Sequence, residues 1–397
     1  MAIQPTLALI PAAQGSKLYS VLPSNGVGDF DFTRASTATR INSKGLIEEV
    51  ASGVSRLDYT GGGCPHHLLE PQRTNLVPYS QTFTGWNLVN VVETPNALIS
   101  PDGRLNASKF VTSNNGVDIK YTNVPVNQGT TYTYSFYCNY VGGEGLEGRF
   151  YDNTNGANIE FYDYTSQLEV GEWKRVTRTF TTPAGCTNIQ VWYLAQSSTN
   201  PVTAYYWGAQ LESGTYATSY VPTNGEIGGV TRLAETADNA GNAATFNDSE
   251  GVLFVEMNAF DNTSRISLSS GSAINRVSFK ITDGNIDFQY RVGGIYSYRV
   301  DVNVDNSNTN KIAMSFNNGV FVGYLNGVAI GSPISGASLG QGVLDRLNFN
   351  DGGSSDNFYG NVKDLRVYNT ALTSLEIETI TSFTSFNAMA LAQNYTI

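Results

Sequence analysis

The chain has 397 residues, of which only 14% are charged, and its formal net charge is −11. That length is enough for two or three domains and a sizeable core. An acidic balance with no Lys/Arg run argues against a nucleic-acid backbone as partner, and no stretch approaches the roughly 20 apolar residues that cross a bilayer.

Forty Gly and 23 Tyr, with abundant Asn, Ser and Thr, take the place of surface charge. Turn-rich β proteins have this composition. The start, Met1-Ala-Ile-Gln-Pro5, lacks the basic and apolar pattern of a signal peptide. Cys64, Cys138 and Cys186 are widely spaced, with no CxxC. They form neither a disulfide framework nor a zinc site, and read as reduced, buried thiols of a protein folded in a cytoplasm.

Residues 1–78 show no sustained periodicity. Pro5, Pro11 and Pro23 interrupt an apolar set that includes Leu7, Leu9 and Leu18, and short strands are predicted at 29–32 and 46–49. The segment reads as an extended anchoring arm that must pack on something else. Arg34, Arg40, Arg56 and Arg73 stand out in it as candidates to pair with Asp29, Asp31, Asp58 and Glu70.

Residues 79–222 alternate with period 2. Tyr132, Tyr134, Phe136, Cys138 and Tyr140 share one strand face; residues 188–195 repeat the pattern, and residues 204–211 place Tyr205, Trp207, Ala209 and Leu211 together. Polar turns every 8–15 residues predict an antiparallel jelly roll. Trp86, Trp173, Trp192 and Trp207 fall in these strand patterns and are assigned to the core.

Residues 223–245 read as a linker. A second β unit spans 246–380, where Asn318-Gly319 and Asn326-Gly327 lie between apolar runs as hairpin turns. Thr373 and Glu376 form a capping-box pattern that predicts one short helix. The tail, 381–397, is apolar at Phe386, Met389 and Leu391, and suits docking on another copy. The fold class expected is therefore all-β: an extended N-terminal arm followed by two antiparallel β-sandwich domains.

Three strings carry family resemblances. Lys17-Leu-Tyr-Ser-Val-Leu-Pro23, Gly28-Asp-Phe-Asp-Phe-Thr-Arg-Ala-Ser-Thr-Ala-Thr-Arg40, Gly45-Leu-Ile-Glu48, Arg56-Leu-Asp-Tyr59, Cys64-Pro65 and Leu68-Leu-Glu-Pro-Gln-Arg-Thr-Asn-Leu76 follow one another in order. This region resembles the N-terminal part of phage fibre proteins, especially those of phages infecting gut and marine Bacteroidota. Residues 79–222, ending in Gln210-Leu-Glu-Ser-Gly-Thr-Tyr-Ala-Thr-Ser-Tyr-Val-Pro-Thr223, resemble carbohydrate-binding-module jelly rolls. Phe358-Tyr-Gly-Asn-Val-Lys-Asp-Leu-Arg-Val-Tyr-Asn369, with Ala371-Leu-Thr373, is similar to the closing strand and helix of concanavalin A-like, laminin-G-type sandwiches.

These resemblances imply a virion protein made in the host cytoplasm. It would be a head or tail fibre component held by its arm to capsid or tail proteins, assembled as a trimer and presenting its sandwiches to host-surface polysaccharide. A capsid decoration protein without ligand, or a glycan-degrading enzyme, are the alternatives.

The chemistry in the sequence favours binding over catalysis. His66 and His67, the only histidines, are adjacent and point to opposite faces of an extended strand, as partly exposed structural residues. Glu256 stands alone in its strand, Asp301 and Asp305 fall in a predicted loop, and Glu160 and Asp163 are spaced for opposite faces, so no carboxylate pair is set for glycoside hydrolysis. Tyr296 and Tyr298, at a hairpin end, supply stacking faces. The loop 348–359 adds Asn350, Asp351, Asp356 and Tyr359, an oxygen-rich set that suits sugar hydroxyls and also calcium. These six are the predicted ligand-binding residues; no other cofactor and no catalytic residue is expected.

Overall fold

The computed structural model describes residues 4–384 and 388, apart from 12, 15–16, 114–115, 144, 198–200 and 262. The apolar tail residues Phe386, Met389 and Leu391 lie outside the described residues. The chain divides into two compact units, one of residues 36–49 and 72–233, the other of residues 1–35, 50–71 and 234–397. Every named strand pairing is antiparallel, and the one described α-helix is Ser374–Thr381.

The first unit is a sandwich of two five-stranded sheets. One has the order Asn87–Val89, Gly116–Pro125, Asn188–Ser197, Leu146–Asp152, Ala157–Asp163. The other has the order Val91–Ile99, Leu105–Thr112, Thr203–Ser213, Thr131–Gly142, Trp173–Thr181. Alternation turns Tyr134, Phe136, Phe150, Val191, Tyr193 and Leu211 into the interior, where they form one aromatic-rich core. Phe136 and Tyr193 meet edge to face across it, ring centres 4.7 Å apart.

The strand Thr203–Ser213 departs from simple alternation. Gly208 takes φ +67°, and the pairing with Thr131–Gly142 shifts between Ser135 and Tyr137. The resulting bulge gives the strand one extra residue and reverses the side-chain parity. Ala204 and Tyr206 therefore share the core with Ala209 and Leu211, while Trp207 turns to the outside and is buried against Ile47, Ala107 and Tyr220. The expected single face of Tyr205, Trp207, Ala209 and Leu211 is split by this one glycine.

The second unit faces an eight-stranded sheet against a five-stranded one. The larger has the order Val328–Ser335, Val320–Leu325, Asn310–Asn317, Glu250–Ala259, Gly360–Tyr368, His66–Leu69, Arg56–Asp58, and Leu7–Leu9 also pairs with Gly360–Tyr368. The smaller has the order Ile295–Asn303, Asn285–Val292, Arg276–Thr282, Thr263–Ser269, Arg346–Asn348. Asn318, Gly319, Asn326 and Gly327 all adopt positive φ, as two-residue hairpin turns of this hand require. The helix Ser374–Thr381 starts with the reciprocal Thr373–Glu376 capping box and covers Phe254, Ala313 and Tyr324 through Ile377.

The N-terminal segment is not a free arm. Leu7 and Leu9 are fully buried in the core of the second unit, together with Phe30 and Phe32, and Phe30–Thr33 pairs with Thr236–Asp238. Residues 36–49 and 72–78 belong instead to the first unit, where Arg73–Asn75 pairs with Val230–Arg232. The expected linker 223–245 thus supplies partner strands to the expected arm. Segments too short to bury a core by themselves complete sheets of their own chain.

Buried charge fastens this arrangement. Arg34 meets Glu235 at 2.6 Å, Arg56 pairs with both Glu235 and Glu70 (2.8 Å to the latter), and Glu235 also accepts the Glu70 backbone N–H at 2.9 Å. Of the partners expected from sequence, Glu70 is used; Glu235 was not foreseen. Arg40 pairs with Glu48, and Arg73 lies 3.8 Å from Glu212. His66 and His67 are buried rather than partly exposed, and burial, then His66, pulls His67 down to about 3. Cys138 and Cys186 are buried as expected, whereas Cys64 is exposed.

Candidate functional site

The residues that form the outer face of the sheet Gly116–Pro125/Asn188–Ser197/Leu146–Asp152/Ala157–Asp163 are fixed by parity and register. Val124, Val191, Tyr193, Phe150 and Tyr162 point into the core. Their neighbours Tyr121, Trp192, Tyr151, Arg149 and Phe161 must then point out.

Cross-strand pairing aligns four of these in one row: Tyr121 opposite Trp192, Trp192 opposite Arg149, Arg149 opposite Phe161. Asn87 of the edge strand extends the row beyond Tyr121. At about 4.8 Å per strand, Tyr121 to Phe161 spans about 14 Å, room for a short oligosaccharide.

The row is a continuous plate. The Tyr121 and Trp192 ring centres are 5.5 Å apart and those of Tyr151 and Trp192 6.3 Å. The Arg149 guanidinium lies 4.2 Å from the Trp192 ring centre, 4.6 Å from Tyr151 and 4.9 Å from Phe161. Such cation–π contacts are attractive and favour this placement of the side chain. Burial lowers the Arg149 pKa, and its Nε finds no acceptor among the described residues.

Amides border the plate. Trp192 Nε1 donates to Gln190 Oε1 at 2.8 Å, and Gln190 Nε2 donates to Asn153 Oδ1 at 3.2 Å. Phe161 is 47% exposed. Partly exposed aromatic rings on an outer sheet face, edged by amide groups, are the chemistry that holds a sugar: rings against C–H surfaces, amides on hydroxyls. Sequence reasoning placed Trp192 in the core and did not consider the other four.

In the same unit a cavity of about 190 Å³ is lined by Trp207, Tyr220, Ile47, Glu48, Glu49 and Asp102, among others. It lies where the Gly208 bulge turned Trp207 out. The Trp207 Nε1–H has no acceptor among the described residues.

The six residues predicted from sequence lie in the second unit and separate there. Tyr298 is core: 2% exposed, opposite Tyr290, its hydroxyl accepting the Gly323 N–H at 2.9 Å. A register shift between Tyr290 and Arg291 turns Tyr296 to the outer face instead, 41% exposed and over the guanidiniums of Arg291 and Arg299. Period 2 alone would have kept the two tyrosines together.

Asn350 is buried and structural, accepting the Gly352 N–H and donating to Asp238. Asp351 Oδ1 accepts the N–H groups of Gly353 and Ser355, an Asx turn. Asp356 reaches Arg265 at 3.3 Å. Tyr359 sits apart, near Asn357 and Ser264. Tyr296, Asp351 and Asp356 do come together, around Arg265 and Arg276.

That neighbourhood does not fit calcium. Asp356 is committed to a guanidinium, one Asp351 oxygen is held by its own turn, and two Arg side chains stand where a divalent cation would need carboxylates. Among the described residues no three His, Cys, Asp or Glu side chains gather for a metal. Asp301 lies in the strand Ile295–Asn303 opposite Asp287, not in a loop, and Asp287 accepts from Arg299 at 3.0 Å. Glu256 lies 3.6 Å from Lys311.

Residues 81–199, which contain the whole aromatic row, match the CBM4/9 family described as a carbohydrate binding domain. The chain carries a carbohydrate-binding domain. Residues 252–378 match the concanavalin A-like lectin/glucanases superfamily, of laminin-G type. No curated protein matches the chain.

Among solved structures, the CBM40 of a Ruminococcus gnavus IT-sialidase bound to α2,3-sialyllactose is 18% identical. It covers 36% of this chain and 86% of that one, with a TM-score of 0.31. Domain 4 of a GH43 extracellular arabinanase from Geobacillus stearothermophilus, in complex with arabinotriose, is 17% identical over 42% of this chain and 82% of that one, TM-score 0.31. The enzymatically active domain of tailspike protein 4 of bacteriophage CBA120 is 12% identical over 36% and 22%, TM-score 0.29. These likenesses are partial.

Proposed function

We propose that this protein is a virion fibre component that grips host-surface glycan through the carbohydrate-binding domain, and that it is not a catalyst. The observation that carries the glycan reading is the row Tyr121–Trp192–Arg149–Phe161, aligned across four strands on one outer sheet face. Stacking on four fixed side chains demands little ordering on binding. Several copies in one fibre, a trimer by family resemblance, turn weak single-site affinity into firm attachment.

The virion role rests on the ordered string from Lys17 to Leu76 and its resemblance to phage fibre proteins. Because those residues are built into both units, attachment to capsid or tail uses a folded surface rather than a loose arm. The non-enzymatic reading is supported by the Asp287–Asp301 pair, in which one Asp287 oxygen is taken up by Arg299 and Gln289 and the Asp287 side chain is buried.

A glycan array probed with the full chain and with Trp192→Ala tests the central claim. Binding to host-surface polysaccharide that the variant loses is expected; an empty array, or equal binding by both proteins, would refute it. Reducing-sugar release from the bound polysaccharide would instead make the protein an enzyme. Antibody labelling of phage particles tests the virion assignment.

A further inference from the structure

We propose that the outer face of the five-stranded sheet in the concanavalin A-like unit is a second saccharide site, one that takes a carboxylate-bearing sugar of the uronic acid class. The proposal rests on the glycan-binding reading but uses different residues.

The sheet's inner face packs Ile266 and Leu268, Val277, Phe279 and Ile281, Ile286, Phe288 and Tyr290 into the core. Alternation therefore places Arg265, Arg276, Gln289 and Arg291 together on the other face. Arg276 and Arg291 are direct cross-strand partners. Like charges in that position repel, so a sheet stabilised only for folding has no reason to pair them.

Neutralisation of this cluster is incomplete: Asp351 and Asp356 lie near Arg265 and Arg276, and Asp287 shares the face, but among the described residues Arg265 alone of the three arginines makes a direct ion pair. Arg276, 3% exposed, donates to the Asp351 backbone carbonyl at 3.1 Å and to Gln289 Oε1 at 3.3 Å, both neutral acceptors. Arg291 donates to the carbonyls of Ala273 and Gly294. Arg265 shares the Gln289 oxygen and, among the described residues, is the one of the three in an ion pair, with Asp356.

The Nε–H groups of Arg265, Arg276 and Arg291 are all buried with no acceptor among the described residues. Burial, and then the charges of Arg265 and Arg291, pulls Arg276 down to about 10. Holding guanidiniums this way costs stability that a bound anion would return.

A carboxylate is the anion that matches. Its two oxygens accept from a guanidinium edge in parallel, and it can bridge neighbouring Arg side chains. The saccharide half of the ligand comes from Tyr296. Its ring is open to solvent and held over Arg291 at 4.9 Å and Arg299 at 5.3 Å. A pyranose stacked on Tyr296 would direct its carboxylate toward the arginines.

The test is calorimetric titration of the full chain with four probes: oligogalacturonate, oligoglucuronate, neutral galacto-oligosaccharide and acetate. At least one uronate is expected to bind, with its affinity falling tenfold or more in both Arg276→Gln and Arg291→Gln and persisting in Trp192→Ala. The neutral oligosaccharide should be insensitive to the arginine substitutions. Circular dichroism and melting of each variant confirm the fold.

Failure of both uronates to bind overturns the proposal, as does uronate binding unchanged by both arginine substitutions. Acetate binding as tightly as the uronates would reduce the site to a simple anion site and also overturn it. Uronate binding abolished by Trp192→Ala alone would sink this second site while leaving the aromatic row as the glycan-binding surface.

Discussion

Arg149 packs over the ring of Trp192, its guanidinium carbon 4.2 Å from the ring centre, on the exterior of a sheet whose interior face forms the core. A fold does not need this contact, because both side chains are outside the core. Trp192→Ala should therefore cost less than about 1 kcal/mol of stability, while loss of a central aromatic anchor should weaken glycan binding by about tenfold or more. Thermal melting and titration of the same preparation separate the two effects. A large drop in melting temperature would mean that Trp192 is structural after all.

Glu235 is shared by two fully buried arginines, Arg34 and Arg56. The charges of Glu235 and Glu70 raise the Arg56 pKa against the opposing effect of its burial. Removing the shared acceptor takes this carboxylate from both: Arg34 keeps the carbonyls of Val50 and Ala51, and Arg56 its pairing with Glu70. Glu235→Ala is expected to destabilise the protein by about 3–5 kcal/mol, the cost of breaking one side of a buried pair. Urea denaturation measures it, and a loss below about 1 kcal/mol would show that water replaces the carboxylate.

Gly208 determines which way Trp207 points. At φ +67° an L side chain is strained, and a Cβ there would meet the Tyr137 ring at 3.1 Å. Gly208→Ala should cost about 1–2 kcal/mol from the left-handed backbone alone, and more where Tyr137 cannot give way. Tryptophan fluorescence should also change, since the ring buried among Ile47, Ala107 and Tyr220 is the one the bulge places.

These cases show what the sequence carried and what it did not. Period-2 alternation, Asn-Gly turns and the Thr373–Glu376 box are local signals, and the strands, hairpins and helix follow them. The aromatic row is non-local: Tyr121, Arg149, Phe161 and Trp192 meet only through the register of four strands. Part of that signal was present, because Val191 and Tyr193 point inward and so force Trp192 outward. The splitting of Tyr296 from Tyr298 and of Trp207 from Ala209 depended on register shifts that a regular period cannot reveal. The N-terminal strands were legible as needing a partner, but not that the partner was the same chain.

Asp238 gives the second unit a pH dependence. Burial, reinforced by the nearby Asp31, raises its carboxyl to about 6 from an ordinary value of 3.8, and it accepts the amide of Asn350 at 2.7 Å. A raised acid binds its proton more tightly in the folded than in the unfolded chain. Its neutral form is thus no burden below pH 3.8, and stability is lost as pH rises through 6. By linkage the loss is about 1–3 kcal/mol at neutral pH, allowing for partial solvent screening. Asp238→Asn keeps an oxygen for Asn350 and removes the charge. Calorimetry should show it melting higher than the native protein at pH 7.5, with the gain shrinking towards pH 4. A gain of equal size at both pH values would mean that the carboxylate's charge is not the cause.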